Sequence, residues 1–271
     1  MFCRFLAWGK LKKMIKLNNL SLDFAGNIIF KNISLQVNKN DRIGLIGKNG
    51  SGKTTLLNLL AKKIIPTVGS ILQDKDLKIA YLPQELYFNS DISLKEFVIG
   101  HRSELIELDK RIDEINNMLS KVKLEKKQFE LLYELEEIQS KKDNINILKL
   151  EINSEKIMKG LGFENTDFSN NINNFSGGWK MRAELSRLLV LDPDIILLDE
   201  PTNHLDLPAI IWLENFLSTT KCTIILVSHD IKFLNKNTNR IFDISQSTIK
   251  DFKGNYSKYI IYREKEIERQ I

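Results

Sequence analysis

Cysteine is nearly absent from this 271-residue chain. Its two cysteines, Cys3 and Cys222, form neither a disulfide framework nor a zinc-ligand pattern, so a reducing, cytoplasmic setting is expected. No apolar run reaches the roughly 18 residues a membrane-spanning helix needs. Proline is scarce, at five residues, and glycine modest, at 13; 42% of residues are hydrophobic and 28% charged. That composition excludes collagen-like, mucin-like and wholly disordered classes. It leaves a globular chain of one to two domains with length enough for a large core. An excess of one charge is missing too. The net charge is +5, but Arg4, Lys10, Lys12 and Lys13 put +4 into residues 1–13, leaving +1 for the rest. A globally basic nucleic-acid surface is therefore not expected, although a local patch is allowed. Residues 1–13 read as a leader, with Met14 opening the folded unit. The leader's apolar stretch is short for a signal peptide, and no small-residue cleavage site follows.

What is present divides into three stretches. From Met14 to Val37 apolar residues alternate (Ile15, Leu17, Leu20, Leu22, then Ile33, Leu35, Val37) around the turn Ala25-Gly26-Asn27, which predicts a hairpin. A strand at 42–46 runs into a glycine-rich turn and a helix opening near Lys53. Another strand, 79–82, stops at Pro83. In the middle, no Gly or Pro occurs over the 59 residues from His101 to Lys159. There Leu105, Leu108, Ile112, Ile115, Leu119 and Val122 step by three and four, a coiled-coil seam, and Leu131, Leu135 and Ile138 make a second. The reading is an antiparallel helical hairpin over about 103–143, its tip near the basic stretch Lys121–Lys127; one long surface helix is the alternative. After Gly162, two apolar β-branched runs, 195–198 and 223–227, read as central strands of a parallel sheet covered by helices. A charged helical pattern ends the sequence.

Gly47-Lys48-Asn49-Gly50-Ser51-Gly52-Lys53-Thr54 fits G-x-x-x-x-G-K-[ST] between a strand and a helix. Glycines let successive backbone N–H groups turn toward phosphate oxygens, and the helix adds its positive end. Lys53 supplies a point charge and the Thr54 hydroxyl a Mg²⁺ ligand, with Thr55 next to it. Asp199 and Glu200 close the strand at 195–199. There Asp199 can hold Mg²⁺ through water, and Glu200 can polarise an attacking water. Ser176-Gly177-Gly178-Trp179 lies 23 residues before Asp199 and opens a helix, a second anion-binding turn. Two half-sites for phosphate serve one nucleotide only if two such domains pair head to tail.

Together these motifs resemble the ATP-binding cassette superfamily, from about Met14 onward. The resemblance implies an α/β fold: a P-loop cassette with a parallel core sheet, an antiparallel β subdomain, and a helical subdomain carrying the inserted hairpin. It implies ATP and Mg²⁺ as cofactors. Phe24 then falls where the family stacks an aromatic on adenine. Gln84 is similar to the Q-loop glutamine, a water-orienting and metal-side residue. Ser176 to Trp179 resemble the signature that reaches a nucleotide in trans, Asp206 the D-loop acid, and His229 the switch histidine. The run Ser-Gly-Gly-Trp-Lys-Met-Arg, the run from Asp199 to Asp206, and the 92-residue interval between Gln84 and Ser176 resemble the F-type branch, whose members act on ribosomes. Residues 14–254 are then the cassette and 255–271 the start of a charged linker helix.

The expectation is an ATP hydrolase (ATPase) cassette, active when paired with a second cassette (a homodimer or a separately encoded half), acting on the ribosome and its RNA near tRNA in translation. Two alternatives stay open: a transporter ATPase subunit, and an ATP-binding partner module without activity of its own.

Overall fold

The structure, a computed structural model, describes residues 15–84, 91–99, 102–120, 125–144 and 147–269. The leader, Met14 and the residues between Lys121 and Leu124 at the expected hairpin tip lie outside it. In chain order the first elements are β1 (Ile15–Phe24), β2 (Asn27–Val37), β3 (Arg42–Gly47), α1 (Lys53–Leu60), β4 (Val68–Gln73) and β5 (Ile79–Leu82). Then come α2 (Leu94–Ile99), α3 (Arg102–Leu119), α4 (Glu125–Asn144), α5 (Ile147–Gly160) and α6 (Gly177–Val190). The chain continues through β6 (Ile195–Asp199), α7 (Leu207–Thr219), β7 (Thr223–Val227), α8 (Ile231–Asn237), β8 (Arg240–Ser245), β9 (Thr248–Lys253) and α9 (Tyr256–Glu268). Two compact units result: Met1–Tyr87 with Leu191–Ile271, and Phe88–Val190.

The first unit holds two sheets. A six-stranded sheet runs β5-β6-β7-β3-β8-β9, parallel except for β9 at its edge. Strands β6 and β7 are buried at every position, because a parallel strand covered on both faces has no polar side to show. A three-stranded antiparallel sheet runs β2-β1-β4. Its first strand alternates: Ile15, Leu17, Leu20 and Leu22 point inward. Helix α1 buries Leu56, Leu57, Leu59 and Leu60 in one core with Leu45, Leu197 and Ile225. Each such leucine stabilises by roughly 1.5–3 kcal/mol relative to exposure.

The second unit is helical. Helices α2, α5 and α6 pack together. Helices α3 and α4 form the hairpin, with Ile115, Leu131 and Ile138 buried between them and Leu108, Ile112, Leu119 and Leu135 half-buried beside. Arg111 meets Glu134 at 2.9 Å across the pair. The pairing of 111 with 134 and of 115 with 131 makes the helices antiparallel. Both expected seams therefore face one another; Leu105 and Val122 lie outside the described side chains. The gap-free stretch after the hairpin is a separate helix, α5.

Candidate nucleotide site

The phosphate loop begins where β3 ends, at the middle of the parallel sheet. Two of its glycines are sterically required. Gly47 has φ +150°, and a Cβ there would lie 2.6 Å from the Ile244 carbonyl oxygen and the Ser51 Oγ. Gly52 has φ +103°, and a Cβ there would lie 2.8 Å from Ile29 and 2.9 Å from Phe30. Since Gly52 also supplies no side-chain cap to α1, the helix opens with free N–H groups pointing into the loop. Lys53 Nζ donates to the carbonyls of Gly47 at 2.9 Å and Lys48 at 3.2 Å, so the cation sits over its own loop. Ser51 Oγ is buried and has no hydrogen-bond partner.

The end of β6, one strand beyond β7 from β3, brings in the carboxylates. Thr54 Oγ1 donates to Asp199 Oδ2 at 2.7 Å. That bond commits the hydroxyl proton and leaves the Thr54 oxygen lone pairs free for a cation. Burial raises the Asp199 pKa above the ordinary aspartate value, opposed by the Thr54 hydrogen bond and by the charge of Lys53. Glu200, 6% exposed, stands in the left-handed region at φ +52°. Its backbone N–H is tied to the Val227 carbonyl at 3.0 Å. Its Oε2 accepts from the His229 backbone N–H at 3.1 Å, whereas Oε1 is buried with no hydrogen-bond partner. A non-glycine residue held there carries about 1–3 kcal/mol of strain, which persists only where neighbours fix the backbone. His229 Nε2 lies 3.4 Å from Glu200 Oε1, and the ring is 71% exposed. Asp230 caps α8, accepting from the N–H groups of Lys232 and Phe233, which holds the His229 turn in place.

Other expected residues are placed less closely. Phe24, at the end of β1, is half exposed on the antiparallel sheet, where a flat ligand could stack. Asn49 and Gly50 are exposed along the loop, and Thr55 on α1 is half-buried. Gln84 is exposed just after β5, and no hydrogen bond links it to Thr54, Asp199 or Glu200 among the described residues. Asp206 caps α7 by accepting from Ala209 N–H at 3.1 Å. The Ser176-Gly177-Gly178 turn belongs to the helical unit, with Ser176 and Gly177 exposed at the start of α6. The Trp179 ring stacks within that unit, 4.9 Å from the Phe163 ring and 4.4 Å from the Arg182 guanidinium. The indole thereby braces the turn.

Motif reasoning passes over Tyr81. An aromatic residue inside a short apolar strand carries no signature of its own, and only the neighbouring strand gives it a place near Asp199.

The residues fit a nucleotide with Mg²⁺: an uncapped helix start, a loop that tolerates only glycine at two turns, an orphaned buried hydroxyl, an orphaned buried carboxylate oxygen, and a Thr–Asp pair with free lone pairs. A glycine-rich loop joining a strand to a helix on a parallel sheet, with an Asp–Glu pair at the end of β6, one strand removed from β3, defines a P-loop nucleotide-binding protein. Its family follows from comparison: the sequence profile of the ABC transporter family matches residues 30–203, and the chain belongs to that family. It is 32% identical over 258 residues to ABC transporter F family member 5 of Arabidopsis thaliana, covering 94% of this chain and 37% of the relative. It is 35% identical over 251 residues to the ATP-binding protein Uup of Escherichia coli K12, covering 93% and 38%. These relatives are consistent with the F-type branch, and the chain spans well under half of their length. A solved structure of the ATP-binding subunit of an ABC transporter shares the fold, with TM-score 0.66 at 17% identity, over 90% of this chain and 91% of that one. Among the described residues no helix is long and apolar enough to cross a membrane.

Proposed function

We propose that this chain is an ATP-binding and ATP-hydrolysing cassette of the F type that works with a second cassette on the ribosome. The observation that carries the catalytic part is Glu200. Its buried Oε1 makes no hydrogen bond, its backbone is held in a strained conformation, and Asp199 precedes it on β6. A carboxylate so placed accepts a proton from a water at Oε1, with Oε2 fixed by the His229 backbone. Lys53 and the open turn of α1 bind phosphate oxygens, while Thr54 and Asp199 would hold the cation and Phe24 would stack on the base. Bound Mg²⁺ supplies charge neutralisation at the phosphates. Gln84 and His229 orient the water and the terminal phosphate.

Pairing is supported by the two anion-binding turns, one in each unit. Ser176-Gly177-Gly178 serves a nucleotide held by the partner cassette's loop, with the partner a homodimer mate or a separate half, and Asp206 acts as the D-loop acid of that pairing. Residues 14–254 act as the cassette and 255–271 begin a linker. The ribosomal role rests on the F-type resemblance and on the hairpin. Its segment 103–143 has eight bases and eleven acids, yet Lys121, Lys123, Lys126 and Lys127 fall within seven residues of sequence beside one acid, Glu125. Such a cluster meets ribosomal RNA phosphates through counterion release.

Turnover tests the catalytic reading. Glu200→Gln keeps the shape and removes the base, so ATP hydrolysis falls by about 10²–10⁴-fold while ATP binding by calorimetry persists. Wild-type turnover in the variant would end the assignment. Replacing the four tip lysines by Gln in the Glu200→Gln background weakens ribosome co-sedimentation and flattens its salt dependence, with ATP affinity intact. An unchanged salt slope would remove the tip from the RNA contact.

A further inference from the structure

Tyr81 is 8% exposed, and its phenolic oxygen is buried with no hydrogen-bond partner. Leaving a buried hydroxyl unsatisfied costs about 1–3 kcal/mol, which phenylalanine at the same position would avoid. Its place on the sheet gives the hydroxyl a use. Tyr81 on β5 pairs in parallel register with Leu197 on β6. Facing residues of paired strands share a side of the sheet, and residues two apart on one strand share it too. Tyr81, Leu197 and Asp199 therefore lie on one face, and Tyr81 and Leu197 belong to the core that includes the α1 leucines. The Asp199 charge adds to burial in raising the phenol pKa well above its usual value, so the O–H keeps its proton and remains a donor. On Asp199, Oδ2 accepts from Thr54, while Oδ1 accepts from none of the described residues. Lys63 Nζ sits over the Tyr81 ring, 4.6 Å from its centroid.

We propose that Tyr81 is a positioning residue for Asp199: its phenol O–H, through a bridging water, donates toward Oδ1 and fixes the carboxylate's rotation. The Thr54 bond then stays on Oδ2, and both groups present their free lone pairs to a divalent cation. This inference rests on the nucleotide reading above and adds to it a residue that touches neither nucleotide nor metal.

The test compares ATP affinity of the chain and of Tyr81→Phe by titration calorimetry, first in EDTA and then with Mg²⁺, with Mn²⁺ paramagnetic resonance as a second measure of the cation. Circular dichroism and the melting temperature confirm that the variant folds. In EDTA the two affinities should match. The increment that Mg²⁺ adds should be smaller in the variant by about 3–10-fold, the worth of one hydrogen bond, and Mn²⁺ should bind correspondingly more weakly. A variant that melts at higher temperature and keeps the whole Mg²⁺ increment would show an orphan hydroxyl without a role and overturn the inference alone. A parent chain that binds no ATP, with or without Mg²⁺, would overturn the nucleotide reading and this inference with it.

Discussion

The parallel sheet and the α3–α4 hairpin are built from similar aliphatic residues, but they bury them differently. Strands β6 and β7 are enclosed at all ten positions, with α1 contributing four leucines to the same core. Of the hairpin's described side chains only Ile115, Leu131 and Ile138 are buried between its helices. Enclosure lets the sheet hold groups that would otherwise relax: the left-handed Glu200, the ionisable Asp199, and the Tyr81 hydroxyl without a hydrogen bond. A two-helix seam constrains one stripe of each helix and leaves the rest to solvent, which suits charged groups that meet a partner from outside. Phe129, Leu132 and Tyr133 are exposed on the outer side of α4 without disturbing the seam. Strained and ionisable groups therefore fall where the backbone is over-determined, and exposed charged and apolar groups where it is not.

The contrast breaks most directly by equal truncations. Leu226→Ala, in fully buried β7, should lose about 3–5 kcal/mol in urea unfolding followed by circular dichroism. Leu131→Ala, in the seam, should lose about 2 kcal/mol, because the two helices can close on the space left. Equal losses would mean that the hairpin is packed as tightly as the sheet.

Asp199 sharpens the comparison through pH. Its folded-state pKa is raised, chiefly by burial, so the folded chain holds the proton more tightly than the unfolded one. Stability of the nucleotide-free chain is therefore full below the ordinary aspartate range and falls as pH rises through the raised value. Asp199→Asn lacks this slope. It should melt above its parent at neutral pH, the gap closing toward pH of about 4, while losing Mg²⁺-dependent ATP binding. A variant less stable than its parent at neutral pH would place the Thr54–Asp199 bond ahead of burial.

The smallest effect belongs to the hairpin surface. Arg111 bonds Glu114 and Glu134, each at 2.9 Å, in the open. Solvent and salt screen such pairs. Arg111→Ala should leave the melting temperature unchanged within error at physiological salt. A clear drop would show that the ion pairs, and not the seam, hold the hairpin.

How far the sequence led varied with the kind of signal. The hairpin of β1 and β2 was legible from alternation and the Ala25-Gly26 turn, both residues at positive φ. The glycine-rich turn between β3 and α1 was legible because Gly-x-x-x-x-Gly-Lys-Thr sets residue types at fixed spacing between a strand and a helix. The end of the hairpin was read at about 143, close to the end of α4 at Asn144, but the separate helix α5 that follows was not, since neither Gly nor Pro separates Asn144 from Ile147. Strand β4 was missed because its outward residues, Val68 and Leu72, are exposed aliphatics that blur the period of two. Strands β8 and β9 carry no motif and follow from pairing with β3 and with each other.

By itself the sequence determined the local matters: where glycine must turn, where an apolar period of two or of three and four calls for a strand or a helix, and which residue types can meet phosphate. These depend on neighbours along the chain, within reach of backbone sterics and helix geometry. Only the tertiary structure decided that Thr54 meets Asp199 across 145 residues, that the backbone of His229 fixes Glu200, that Trp179 stacks within its own helical unit, and that the Tyr81 hydroxyl is buried near Asp199 without a partner. Strand order set the meetings on the sheet and helix packing the one at Trp179, and both follow from burying many apolar faces at once, a property of the whole core that no single stretch of sequence displays.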